Sequence, residues 1–204
     1  YGDEVDVTRL LEHKRYLEAS ASTRLSVLAL SVKALSLAML EYPAINSSIC
    51  LESMTLTLHP NHNVGIAMDT PRGLAVPVIR NCQDKSIVEI TQEIDRLKSL
   101  AQEGRLAKED LDGSTITLSN IGSIGGTYTS PIISSPQVAI GAMGKIRRTP
   151  RFVDDSSLEV EEAHIMTMTW AGDHRALDGA TLARFAERWK QYLETPTQML
   201  LSMR

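Results

Sequence analysis

Apolar and polar positions along the chain change period several times, and each change marks an element. Tyr1 to Val7 alternates as a half-buried strand does. From Asp6 the run Val7-Thr8-Arg9-Leu10-Leu11 opens a charged helix that continues to about Glu18, with Asp6 or Thr8 placed to cap its first amides. Residues 19–24 then read as a short loop. The next helix, from about Leu25 to Glu41, repeats Leu28, Val32, Leu35 and Met39 at steps of three and four, and Pro43 stops it. Ser53 to Met68 reads as two strands of a hairpin, Met54–Leu58 and Val64–Met68, turning through 59–63. A turn at 69–73 leads to a third strand, Leu74 to Ile79, in which Pro77 requires an edge or bulge position, so the three suggest a meander.

The second half returns to helical spacing. Ile87, Ile90, Ile94, Leu97 and Leu100 share one face of an amphipathic helix ending at Glu103, before Gly104. A strand at Ser114–Ser119 runs into a loop containing Gly122, Gly125 and Gly126 that ends near Pro131; strands follow at Val138–Met143 and His164–Trp170. The last helix, Asp178 to Leu193, places Leu182, Phe185, Trp189 and Leu193 on one side. With no repeat and no linker, the expectation is one α+β domain over 1–204.

Composition and charge narrow the function classes. At 204 residues, 43% apolar and 23% charged, a chain buries roughly 70% of its unfolded surface, enough for one sizeable core. The longest apolar stretch, Leu25 to Leu40, is broken by Ser26, Ser31, Lys33 and Ser36 and falls short of a membrane span. The net charge of −4 carries no long block of one sign, which argues against a general nucleic-acid or membrane-surface binder. Cys50 and Cys82 have neither disulfide-framework nor metal-ligand spacing, so no zinc site is expected. Tyr1 opens directly into a strand pattern with no signal or transit peptide, suggesting a core taken from a longer protein.

Candidate chemistry concentrates in Gly172-Asp173-His174-Arg175-Ala176-Leu177-Asp178-Gly179, at a strand-to-helix junction. Histidine has an ordinary pKa of about 6.5, which leaves much of it neutral near physiological pH, as a general base acting on a thiol or hydroxyl requires. Spacing alone also fits an ordinary histidine beside Asp178 acting as a helix N-cap. Ser119 likewise fits a strand-end serine bonded to the loop that follows. The Gly122-Ser123-Ile124-Gly125-Gly126 loop is not GxGxxG, which removes the dinucleotide reading. His59 and His62 lack a third ligand and read as part of a turn. Cys82 reads as a small half-buried residue, Lys145-Ile146-Arg147-Arg148 as a basic surface cluster, and Met199-Leu200-Leu201 as a segment docking on its own core.

The pattern HxxxDG at His174–Gly179 resembles the catalytic signature of the dihydrolipoamide acyltransferases, the E2 components of 2-oxo acid dehydrogenase complexes, and of chloramphenicol acetyltransferase. Leu118-Ser119-Asn120-Ile121-Gly122-Ser123-Ile124-Gly125-Gly126-Thr127, His62-Asn63-Val64-Gly65-Ile66-Ala67-Met68-Asp69-Thr70 and Val138-Ala139-Ile140-Gly141-Ala142 are similar to the branched-chain member. The likeness runs from Gly2 to Leu201. It implies a chloramphenicol-acetyltransferase-like fold, a mixed β-sheet flanked by helices, forming trimers with each active site between subunits. It also implies transfer of a branched-chain acyl group between dihydrolipoamide and coenzyme A, with His174 as base, Ser119 as oxyanion donor and Asp178 as the motif aspartate, usually paired with an upstream arginine. Coenzyme A contacts would fall on Lys14, Ser26, Asp69, Lys98, Ser119, Asn120, Ser123, Gly144 and Ile146. Lys98 stands where the family often has Gln, and Lys14 or Arg15 where it has Arg. The remaining implications are lipoyl and peripheral-subunit-binding domains upstream, a homotrimer joined into a 24-subunit cubic core, E1 decarboxylase and E3 dihydrolipoamide dehydrogenase partners, and a mitochondrial matrix location, or the cytoplasm for a bacterial source.

Overall fold

The computed structural model describes residues 1–21, 23–154 and 156–202. In chain order the elements are β1 (Gly2–Asp6), α1 (Thr8–Ala21), α2 (Val27–Glu41), β2 (Ser47–Cys50), β3 (Thr55–Leu58), β4 (Val64–Thr70), β5 (Gly73–Ala75), β6 (Val78–Ile79), α3 (Ile87–Gln102), α4 (Lys108–Leu111), β7 (Ile116–Asn120), β8 (Ala139–Met143), β9 (Arg147–Phe152), β10 (Val160–Gly172), α5 (Gly179–Glu194) and α6 (Thr197–Ser202). Among the described residues the main sheet is ordered β1-β10-β8-β7-β4-β5, with β6 also on β4 and β9 also on β10. β4, β7 and β8 run parallel, and β10 runs antiparallel to β8. This is the expected mixed sheet with helices.

α2 is the most deeply buried helix surface, with 11 buried residues from Ala29 to Met39. The polar residues that interrupt its apolar run are all answered by partners. Ser31 Oγ donates to Val27 O at 2.9 Å, Ser36 Oγ shares a 2.8 Å bond with His62 Nδ1, and Ser26 N-caps the helix by accepting from Ala29 N. Lys33, only 4% exposed, donates to the carbonyls of Cys82, Gln83 and Lys85 at 3.3, 3.1 and 2.7 Å. A buried cation solvated in this way leaves no orphaned charge, which would otherwise be severely destabilising. No helix among the described residues is long and apolar enough to cross a membrane. α5 closes the core, stacking Phe185 and Trp189 edge-on against Trp170 of β10.

Two expectations are corrected. The hairpin of Met54–Leu58 with Val64–Met68 does not form: β3 pairs instead with β2 in a separate two-stranded sheet, and β4 enters the main sheet. The physical reason lies in Asn46, whose side-chain amide donates to His59 O and Asn61 O at 2.8 and 3.0 Å. These bonds hold 59–63 as a bridge between sheets rather than a turn. The loop expected at 19–24 begins later, because α1 continues to Ala21. An i,i+4 ion pair between Lys14 and Glu18 supports its last turns, and Glu18 also accepts from Leu25 N at 2.8 Å. The basic 145–148 cluster lies at the surface as expected, with Lys145, Arg147 and Arg148 exposed; Arg147 and Arg148 open strand β9, where Arg148 pairs with Glu162 across the ladder. Pro77 behaves as expected: it divides the third strand into β5 and β6 on the outer edge of β4, its carbonyl accepting from Ile66 N at 2.8 Å.

Candidate active site

The carboxyl ends of the parallel strands β4 and β7 meet the N-terminus of α2 and one face of α3 around a cleft of about 480 Å³. Ser26, Asp69, Lys98, Asn120 and Ser123 all line it, together with Arg24, Asp95, Gln102 and an apolar wall of Ile66, Met68, Ile94 and Ile124. Residues separated by almost 100 positions in sequence thus converge where open α/β sheets present ligand sites, outside the carboxyl ends of parallel strands. Ser119, half-buried, precedes Asn120 at the end of β7. Ser123 Oγ donates to Asn120 O at 2.8 Å and tightens the turn that follows.

Lys14, Ser119, Gly144 and Ile146 are not among the lining residues. Lys14 is held by Glu18, and the cation at that end of the cleft is Arg24. Sequence reasoning missed Arg24; the available signal was a cation two residues before the N-cap of a long helix. Ile146 packs on the core from its edge. Gly144 supports the serine-bearing loop from behind: a Cβ on Gly122 would collide with the Gly144 backbone, and one on Gly144 would collide with Thr127 O and the Thr167 hydroxyl. Lys145 N also donates to Gly126 O at 2.9 Å. Gly144→Ala should therefore force the loop away and lower stability by about 1–3 kcal/mol, as overpacking of a tight contact does. Thermal denaturation reads this directly; an unchanged Tm would mean the loop does not rest on Gly144.

His174 lies at the other end of the sheet. β10 ends at Gly172, paired with Ala139 at the start of β8, and Asp173 N donates to Val138 O at 2.7 Å. Ser119 pairs with Ala142 near the end of β8. With about 3.3 Å per residue and about 4.8 Å per strand, the Cα atoms of Ser119 and Gly172 are about 14 Å apart, and His174 lies two residues further on. His174 is exposed and has no hydrogen bond to any described residue. Asp178 is the N-cap of α5, accepting from Thr181 N at 2.8 Å and from Thr181 Oγ1 at 2.7 Å, and these bonds hold its carboxyl below the usual range. One copy of the chain therefore presents the imidazole and the serine hydroxyl at opposite ends, out of mutual reach.

The remaining candidates take structural roles. His59 Nε2 bonds Ser48 Oγ at 3.0 Å, His62 is buried against Ser36, and no group of potential metal ligands occurs among the described residues. Cys82 is completely buried rather than half-buried, and burial pushes its thiol up to about 12, leaving it unreactive. Met199 docks on the core, while Leu200 and Leu201 of the same short helix are exposed.

Residues 1–201 match the family described as 2-oxoacid dehydrogenases acyltransferase (catalytic domain). The chain is 46% identical, over its whole length, to the lipoamide acyltransferase component of the branched-chain alpha-keto acid dehydrogenase complex of Mus musculus, mitochondrial, and spans 42% of that relative. Among solved structures, the cubic core of a pyruvate dehydrogenase multienzyme complex superposes with a TM-score of 0.91 at 32% identity, covering 98% of this chain and 82% of that one. Azotobacter vinelandii dihydrolipoamide acetyltransferase (E2p) superposes at 0.90 with the same identity and coverages; the roles of a serine, a histidine and an asparagine in its catalytic mechanism have been investigated. Chloramphenicol acetyltransferase, at 15% identity and a TM-score of 0.61 over 94% of this chain and 86% of that one, shares the fold. The matched length and the identity across it place this chain in the 2-oxoacid dehydrogenase acyltransferase family, as its catalytic domain.

Proposed function

We propose that the protein transfers a branched-chain acyl group between dihydrolipoamide and coenzyme A, at a site formed where His174 of one copy meets Ser119 of its neighbour. The carrying observation is the convergence of Ser26, Asp69, Lys98, Asn120 and Ser123 on one cleft beside Ser119. Its chemistry suits coenzyme A: Lys98 and Arg24 supply positive charge for phosphates, the α2 N-terminus favours an anion, and the Ile66–Met68–Ile94–Ile124 wall suits an aliphatic arm. Gly144 supports the loop next to it. The lipoyl group is the other substrate, carried on a domain outside residues 1–204.

A free thiol has an ordinary pKa of about 8.5 and is mostly protonated at neutral pH. His174, exposed and unencumbered, removes that proton as the sulfur attacks the thioester carbonyl. The Ser119 hydroxyl then donates to the developing oxyanion, a contribution of about 2.7–4 kcal/mol for a well-aimed donor; the tetrahedral adduct collapses by breaking its original C–S bond, and the departing thiolate takes the proton back from His174. Asp178 contributes by fixing the start of α5 immediately after the histidine turn. His174 is the feature a purely structural core subunit would not need. The closed ring of copies this site requires is also the unit from which a cubic core is built, as in the pyruvate dehydrogenase core it resembles. Contacts with E1 and E3 would run through lipoyl and subunit-binding domains elsewhere in the full protein, and the mouse relative's location suggests mitochondria.

Branched-chain specificity rests on the 46% identity to the branched-chain relative against 39% to the acetyltransferase component of the Staphylococcus epidermidis pyruvate dehydrogenase complex. A few methylenes separate the acyl groups, each worth about 1–3 kcal/mol in a fitted pocket. Assays with isobutyryl-, acetyl- and succinyl-coenzyme A as donors to dihydrolipoamide should therefore show kcat/KM at least about tenfold higher for isobutyryl. Equal rates, or a preference for acetyl, would overturn the branched-chain assignment.

A further inference from the structure

The histidine turn contains an ion pair that closes on itself. Arg175 donates to the Asp173 carboxylate from its backbone N at 3.0 Å, from Nε at 2.9 and 3.2 Å and from Nη2 at 2.6 Å. The two residues flank His174 directly. Behind them the turn is fastened twice: Asp173 N donates to Val138 O on β8, and Asp173 O accepts from both Ala176 N and Leu177 N at 2.9 Å. Leu177 is buried in the core. His174 itself is exposed and has no hydrogen bond to any described residue, so its position is set chiefly by the backbone that carries it.

We propose that Asp173 and Arg175 are positioning residues for His174, their fork-shaped pair fixing the turn from which the imidazole projects toward the neighbouring copy. This inference rests on His174 being the base. Asp173 alone could form an Asx turn, but a carboxylate free on one side could swing toward the imidazole or the reacting sulfur. A planar guanidinium engaging both oxygens removes that freedom, which a lysine ammonium could not do. The pair also leaves the base with no unbalanced charge on either side. Arg175 and its own amide hold the Asp173 carboxyl down at about 2, so the clasp stays closed at every pH where thiol chemistry runs. Because Arg175 is 55% exposed, the pair adds little to global stability, and its purpose should appear in turnover rather than in folding.

The test compares Asp173→Asn, Arg175→Ala, the double variant and His174→Ala in the assembled protein, using acyl-coenzyme A and dihydrolipoamide. Expected are a fall in kcat of about 10–100-fold for each single variant, as for a base displaced by an ångström, KM values within about twofold of wild type, and unchanged particle size and Tm. The double variant should be no worse than either single one, since the two act as one device. Wild-type kcat in both single variants, with His174→Ala inactive, would overturn the inference and leave the base assignment standing. An active His174→Ala would instead remove the base assignment itself. A rise in KM with normal kcat would make Arg175 a binding residue, and activity lost in step with Tm or assembly would make the pair merely structural; either result overturns the proposal.

Discussion

His174→Ala should lower kcat for the proposed acyl transfer by about 10²–10⁴-fold, the usual contribution of a positioned general base, while leaving the fold intact. The expectation of an intact fold comes from the structure. His174 is exposed, bonds to no described residue, and sits on a turn tied down by Asp173 and Leu177 rather than by its own side chain. Truncating it opens no cavity and strands no partner. The loss should therefore fall on kcat, with KM for coenzyme A little changed, because the cleft residues belong to the opposite end of the sheet. Steady-state kinetics alongside thermal denaturation would show this; full activity in the variant would remove the proposed mechanism.

Co-expressing His174→Ala with Ser119→Ala should restore activity that neither variant has alone. Ser119→Ala by itself should lose the proposed oxyanion donor and about 10²–10³ in kcat. If each site takes its base from one copy and its hydroxyl from the next, random mixed rings contain intact pairs at about one site in four. Recovery to about a quarter of wild-type turnover, against a background near zero, follows from the 14 Å separation across β7, β8 and β10 within one copy, with strand spacing and rise as given. Two sites lying within single copies would give no recovery at all. Separately purified variants mixed without exchange provide the control.

Much of this arrangement is legible in the sequence, for identifiable reasons. α3 and α5 show unbroken 3.6-residue periodicity, and Ser86 with Glu89 caps α3 in a box that a reader can find by eye. The Leu118–Thr127 and His174–Gly179 motifs point to the family before any coordinates. What the sequence hides is long-range partnership. β2 has one large apolar residue in four and gives no strand signal, so β3 appears to belong with β4. Arg24 becomes a cleft residue only when α2 and α3 are laid beside β4. Asp178 looks like an active-site carboxylate by motif, whereas its bonds within the copy are those of a helix cap. Nor does spacing reveal that β10 reverses direction, which is what separates Ser119 from His174.

The buried Lys33 carries a final consequence, concerning ionic strength. Arg148–Glu162, Arg151–Glu4 and Arg96–Asp110 are pairs at the surface, and added salt weakens such attractions between exposed charges. Lys33, itself buried, faces three peptide carbonyls, where mobile ions screen less than at the open surface. In concentrated brine the periphery loosens first, while α2 stays tied to the turn at 82–85.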